Sequence, residues 1–68
     1  MKNTLENVKK FITKELEKVG DKIRFTKVED ERLHAVITRE DGTEDKVYWK
    51  LDLRDGVELL STWYYTEL

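Results

Sequence analysis

Apolar residues near the N terminus recur at steps of three and four, which places them on one face of a helix. They predict an amphipathic helix over residues 4–19. Asn3 is the predicted N-cap, with Glu6 completing a capping box, and Gly20 is expected to end the helix in a left-handed conformation. The apolar face of this helix consists of Leu5, Val8, Ile12, Leu16 and Val19.

After residue 20 the apolar period changes to two, which is typical of strands with one buried face. Short links separate the strands, so we expect four strands in an antiparallel meander, packed against the helix. The inward-facing positions of the first three strands are Ile23, Phe25, Leu33, Ala35, Ile37, Val47, Trp49, Leu51 and Leu53.

The parity of these positions predicts the loop between the second and third strands. A three-residue loop over 40–42, with its glycine in the left-handed bulge position, pairs Ala35 with Val47. It also pairs Leu33 with Trp49. A two-residue turn would instead move every core side chain of one strand to the wrong face.

The same Asp-Gly signal at residues 55–56 predicts a second bulged loop and a last strand over residues 57–66. This register places Leu51 opposite Leu59 and Val47 opposite Trp63. The inner face of the last strand would then carry Val57, Leu59, Ser61, Trp63 and Tyr65. For the first link, a three-residue loop over 29–31 is expected.

One alternative concerns residues 53–67, where apolar positions also step by four and three. They could form a second helix capped by Asp52, giving the order αβββα. The β-rich run from Ser61 to Thr66 and the interior Gly56 favour the strand.

Composition limits the class of protein. At 68 residues the chain has room for one domain, over residues 1–68, and the absence of cysteine excludes disulfides and thiolate chemistry. Although 41% of the residues are charged, the net charge is only -2 and seven residues are aromatic, which favours a packed core. No stretch is apolar enough for a signal or membrane segment, so a cytoplasmic location is expected.

The outward-facing positions of the predicted sheet form the best candidate binding surface, because they combine cations with aromatic rings. In the expected register Val28 lies beside Arg32 and Thr26 beside His34. The candidate residues of this outer face are Arg24, Arg32, His34, Lys46, Tyr48, Lys50 and Tyr64.

The free edge of the last strand is a second candidate, because residues 61–66 are uncharged and contain no proline. Two copies could pair there to form a homodimer, or another protein could add a strand. The edge residues are Thr62, Tyr64 and Thr66. The first strand, by contrast, is guarded by Lys22, Arg24 and Lys27.

Catalytic and metal-binding groupings are not expected. The predicted register places Ser61 on the inner face and His34 on the outer face, so they cannot form a triad. The loop carboxylates at one end of the sheet could approach one another and hold a hard cation, but they follow no EF-hand spacing, and acidic turn tips that favour solubility are the preferred explanation. Each of the three glycines is assigned to a helix end or a hairpin rather than a phosphate loop. We expect no enzyme activity, metal or cofactor.

Three hypotheses for function follow. The first is a non-catalytic interaction module, such as an accessory, inhibitor or regulatory protein, that forms a homodimer or binds a protein partner. The second is a small nucleic-acid-binding protein in which the tyrosines stack on bases while the cations neutralise phosphates. An isoelectric point near 5.4 disfavours the second. The third is a designed scaffold without a biological function, favoured by the consistent hairpin signals and the absence of proline.

Overall fold

One N-terminal helix covers one face of an antiparallel sheet in a computed structural model that describes residues 4–67. The elements are α1 (Leu5–Glu17), β1 (Lys22–Glu29), β2 (Arg32–Thr38), β3 (Glu44–Asp52), β4 (Glu58–Leu59) and β5 (Tyr65–Thr66). The strands β1, β2 and β3 follow one another in the sheet, and both short strands β4 and β5 pair with β3. The predicted α+β fold is confirmed, and the alternative of a helix over residues 53–67 is wrong.

Both ends of α1 are closed by hydrogen bonds. The predicted cap Asn3 lies outside the described residues; the hydroxyl of Thr4 occupies the capping position and accepts from the Asn7 N–H at 3.2 Å. Gly20 has φ +82° and donates to the Glu17 carbonyl at 3.1 Å, while Asp21 donates to Leu16 at 3.0 Å. These two bonds form a Schellman motif, which requires the left-handed glycine that the sequence predicts.

The hairpin between β1 and β2 differs from the prediction at its tip. Phe25 pairs with Ala35 as expected, but the link is a two-residue turn at Asp30 and Glu31, whose φ angles are +53° and +57°. Two consecutive positive φ angles match the twist of a hairpin, even without glycine. A bulge at Thr26 absorbs the extra residue and keeps the inner half of the register intact.

The hairpin between β2 and β3 has the predicted register. Ala35 pairs with Val47 and Leu33 with Trp49. The loop over 40–42 is closed by the Gly42 N–H, which donates to the Arg39 carbonyl at 2.9 Å, and Gly42 has φ +89°. The bulged three-residue loop is therefore confirmed.

The last strand is not continuous, which corrects the prediction for residues 57–66. Leu51 pairs with Leu59 as expected, but Val47 pairs with Thr66 instead of Trp63. Between these two pairings the chain leaves β3 after Leu60, whose N–H donates to the Lys50 carbonyl at 3.1 Å, and takes up three extra residues before it returns at Tyr65. Because three is an odd number, the alternation of faces reverses in β5, and the inner-face assignments of Trp63 and Tyr65 are wrong.

The core lies between α1 and the inner face of β2 and β3. No charged or polar side chain is buried in the part of the chain that the structure describes. Within residues 4–67, no helix is long and apolar enough to cross a bilayer. The buried residues are Val8, Ile12, Leu33, Ala35, Ile37, Val47, Trp49 and Leu51.

Candidate binding surfaces

Six of the seven predicted outer-face residues lie on the outer face of the sheet. Cross-strand pairs join Arg32 to Lys50 and His34 to Tyr48, in positions that alternate with the buried residues of the same strands. The third row contains Arg24, Val36 and Lys46.

The bulge at Thr26 changes which β1 residues join these rows. Lys27, not Thr26, lies beside His34, and Glu29, not Val28, lies beside Arg32. The ammonium of Lys27 lies 2.9 Å from the Glu29 carboxylate. This hydrogen bond raises the pKa of Lys27 and lowers the pKa of Glu29. The bulge thus adds a paired cation and carboxylate to the outer face, and the net charge of that face does not change.

The ring of Tyr48 is covered by neighbouring side chains. Tyr65 stacks on it, with ring centroids 5.3 Å apart and an interplanar angle of 20°. The guanidinium of Arg32 lies 4.7 Å from the Tyr48 centroid, and the ammonium of Lys50 lies 5.0 Å from the Tyr65 centroid. Both tyrosines are therefore engaged within the protein.

His34 also contacts the C-terminal segment. Its Nδ1 atom contacts a carboxylate oxygen of Glu67, and the backbone N–H of Glu67 donates to the Lys46 carbonyl at 2.9 Å. The His34 side chain is only 14% exposed. The stacked Tyr65 and the Glu67 contacts hold the C-terminal segment against the outer face.

Tyr64, the seventh predicted outer-face residue, lies on the opposite side of the sheet. Its ring meets Trp49 edge to face, with centroids 5.8 Å apart. Its hydroxyl accepts a hydrogen bond from the Arg39 guanidinium at 2.8 Å, and Arg39 also donates to Asp45 at 2.7 Å. The reversed alternation of β5 is the cause, and Tyr65 takes the outer-face place expected for Tyr64.

The predicted edge of Thr62, Tyr64 and Thr66 is not one continuous edge. Thr66 pairs with β3 at Val47, whereas Thr62 lies in the stretch that leaves the sheet. Backbone pairing with another strand along residues 57–66 is therefore not supported by the arrangement of this segment.

An apolar groove opens between α1 and residues 59–64. It has a volume of about 480 Å³, and a second cavity of about 370 Å³ extends it along α1, sharing Phe11, Leu59 and Thr62. We call the two together the Trp63 groove. Its apolar walls include Phe11, Leu16, Val19, Trp49, Leu59 and Trp63.

Trp63 is the most exposed large apolar residue of the described chain. Its exposed fraction is 79%, compared with 2% for Trp49, and its neighbours in the groove, Val19 and Phe11, are 63% and 47% exposed. Large contiguous apolar patches on a protein surface often mark sites of contact with other molecules.

Few charges border the groove. Glu15 is part of its lining and lies 3.0 Å from the ammonium of Lys18, while Glu58 borders the second cavity. Residues 59–66 form an uncharged run of eight, the longest in a chain in which 41% of residues are charged. The lack of charge over residues 61–66 led to the prediction of a binding edge, but the predicted register assigned Trp63 to the core and so did not predict the groove.

Ser61 and His34, which the sequence places on opposite faces, have separate partners in the structure. The hydroxyl of Ser61 accepts from the Trp63 N–H at 3.1 Å, whereas His34 contacts Glu67 on the outer face. Among residues 4–67, no three potential metal-ligating side chains are grouped together.

Comparison with protein-family models, with curated proteins and with solved structures finds no match to this chain.

Proposed function

We propose that the chain is a non-catalytic interaction module that binds another protein chain through the Trp63 groove. The observation that carries this proposal is the 79% exposure of Trp63 beside an apolar groove. Tryptophan is among the residues that contribute most to protein interfaces, because burial of its large ring removes much apolar surface from water.

Three exposed apolar side chains line the groove together and would be buried by a partner. Burial of one fully exposed Phe or Val side chain contributes about 1.5–3 kcal/mol, and Trp63 offers a larger apolar surface than either. Phe11 and Val19 are only part-exposed, so each would contribute a fraction of that amount. Together these residues provide a compact apolar centre for an interface.

The outer face supports a protein interface less well, because its most interactive groups already have partners. Tyr48 is covered by Tyr65 and Arg32, and His34 is covered by Glu67. A partner would have to displace these contacts before it could use the rings.

Selection from a displayed library of random peptides tests the proposal. We expect enrichment of peptides with apolar anchors that bind the wild-type protein and do not bind Trp63→Ser. Val28→Ser is the matched control, because Val28 is 42% exposed on β1, at the far edge of the sheet. Peptides that bind all three proteins equally would contradict the proposal.

Nucleic-acid binding is a second candidate, favoured by four outer-face cations that form no ion pair with another described residue. They are Arg24, Arg32, Lys46 and Lys50. Because the tyrosine ring faces are occupied, this function would depend on phosphate contacts and would weaken steeply with salt.

Fluorescence anisotropy with a mixed-sequence single-stranded oligonucleotide tests this candidate. Salt-sensitive binding that is lost in Lys46→Glu/Lys50→Glu and retained in the helix variant Lys10→Glu/Lys14→Glu would support it. Both variants change the net charge equally. Absence of binding at low salt would reject it.

A further inference from the structure

We infer that the occupant of the Trp63 groove is a second copy of this chain, in a two-fold symmetric homodimer. Each copy would insert its Trp63 side chain into the groove of the other. The inference rests on the proposed function, because it assigns the partner of that same surface.

The shape of the surface carries the first step. In a two-fold dimer the same patch serves both copies, so the patch must contain a projecting group and a recess together. Trp63 is the projecting group, with most of its side chain in solvent, and the recess lies directly beside it between α1 and residue 59. In a two-fold dimer the Trp63 side chain of each copy would therefore lie in the groove of the other, and both grooves would be filled.

The charges around the groove carry the second step. The walls that residues 59–66 form in two copies can meet without bringing like charges together, because this run contains no charged side chain and Glu58 only borders the second cavity. Glu15 lies within the groove, but its carboxylate is paired with Lys18 of its own chain. A strongly charged partner would find no array of oppositely charged groups along the wall that residues 59–66 form.

The stretch between β4 and β5 carries the third step, because it is not paired in the sheet and it presents Trp63 to solvent. Only two residues each of β4 and β5 pair with β3, and after Leu60, whose N–H donates to Lys50, residues 61–64 lie outside the sheet. A small domain buries a limited fraction of its surface on folding, so it gains more from association than a large domain does. A second copy over the groove would cover the part of the chain that the sheet leaves uncovered.

Sedimentation equilibrium over a range of protein concentrations tests this inference. We expect the wild-type protein and the control Val28→Ser to form dimers with the same dissociation constant. We expect Trp63→Ser and Val19→Ser to raise the dissociation constant of the dimer, by about tenfold or more for Trp63→Ser. Circular dichroism of each variant verifies that it is folded, and two groove variants keep the test valid if one of them does not fold.

Two results would overturn the inference. A wild-type protein that remains monomeric at the highest soluble concentration would show that a second copy does not occupy the groove. A dimer that persists unchanged in both groove variants would place the interface elsewhere. If the wild type is monomeric but peptides that require Trp63 are still enriched, the occupant is a different protein and only the dimer is rejected.

Discussion

The rings of Tyr48 and Tyr65 stack on the outer face at a centroid distance of 5.3 Å, and this contact joins the end of the chain to β3. Backbone pairing of β5 involves only two residues, so the aromatic stack is a main attachment of the C-terminal segment. The two candidate surfaces are thereby linked: the stack covers the outer face and fixes the segment that forms one wall of the Trp63 groove.

Replacement of Tyr65 by alanine should loosen this attachment. Loss of the aromatic pair is expected to lower the free energy of unfolding by about 1 kcal/mol. It should also increase hydrogen exchange at the Glu67 amide, which donates to Lys46. Tyr65→Phe keeps the ring and should exchange as the wild type does. If the Glu67 amide is protected from hydrogen exchange equally in Tyr65→Ala and in the wild type, the prediction is contradicted.

The two tryptophans should differ sharply in their contribution to stability. Trp49 is 2% exposed in the core, so Trp49→Ala should lower the free energy of unfolding by about 3–5 kcal/mol. Trp63→Ala should change the unfolding free energy by no more than about 0.5 kcal/mol in dilute solution, because most of the ring is in solvent. Chemical denaturation measures both. A large loss of stability in the Trp63 variant of the monomer would show a structural role for this residue.

Gly42 should tolerate substitution poorly because of its backbone angle rather than its surroundings. Its φ is +89°, and apart from residue 42 itself and its two chain neighbours no heavy atom lies within 4 Å of the position of an added Cβ atom. Gly42→Ala is therefore expected to cost about 1–2 kcal/mol through backbone strain alone. Gly42→Asn should cost less, because asparagine adopts left-handed conformations more readily than alanine. Equal unfolding midpoints for the two variants would contradict this explanation.

Asp52 should titrate far below an ordinary aspartate. Hydrogen bonds from the Arg54 side chain and backbone lower its pKa from 3.8 to about 2. A lowered pKa in the folded state means that the contribution to stability is present above pH 3.8 and is lost as the pH falls through about 2. Carboxyl-detected NMR titration should show this value in the wild-type protein.

Arg54→Gln provides the comparison for this titration. The Asp52 pKa should rise in this variant but stay below 3.8, because the backbone N–H of residue 54 still donates to the carboxylate at 3.0 Å. Lys50→Gln is the control and should leave the titration unchanged. A wild-type Asp52 pKa near 3.8 would contradict the pairing.

Much of the fold follows from the sequence because two signals agree. The alternation of apolar residues and the left-handed glycine of the loop over 40–42 each specify the same pairing of Ala35 with Val47. Helix α1 has a similar agreement between its apolar stripe and the glycine at its end. Where the apolar pattern and the turn residues favour the same pairing, these local signals specify the strand register without any information on tertiary contacts.

The predictions that are wrong concern segments in which the apolar pattern or the turn chemistry gives no clear signal. The turn at Asp30 and Glu31 contains no glycine, so its two-residue form and the bulge at Thr26 could not be read from the sequence. In residues 59–66 almost every side chain suits a strand, so composition does not show where the strand is interrupted. The contact of Tyr64 with Trp49 is a tertiary one, and it accompanies the reversal that leaves Trp63 in solvent.

The accessibility of the Trp63 indole at increasing protein concentration tests the central claim most directly. The measurement is NMR relaxation of the two indole N–H signals by a soluble paramagnetic agent, with the buried Trp49 as the internal control. The dimer predicts that Trp63 is strongly relaxed in dilute solution and becomes protected as the concentration rises, while Trp49 stays protected throughout. A Trp63 signal that remains equally relaxed at every concentration would contradict the claim that a second copy covers this residue.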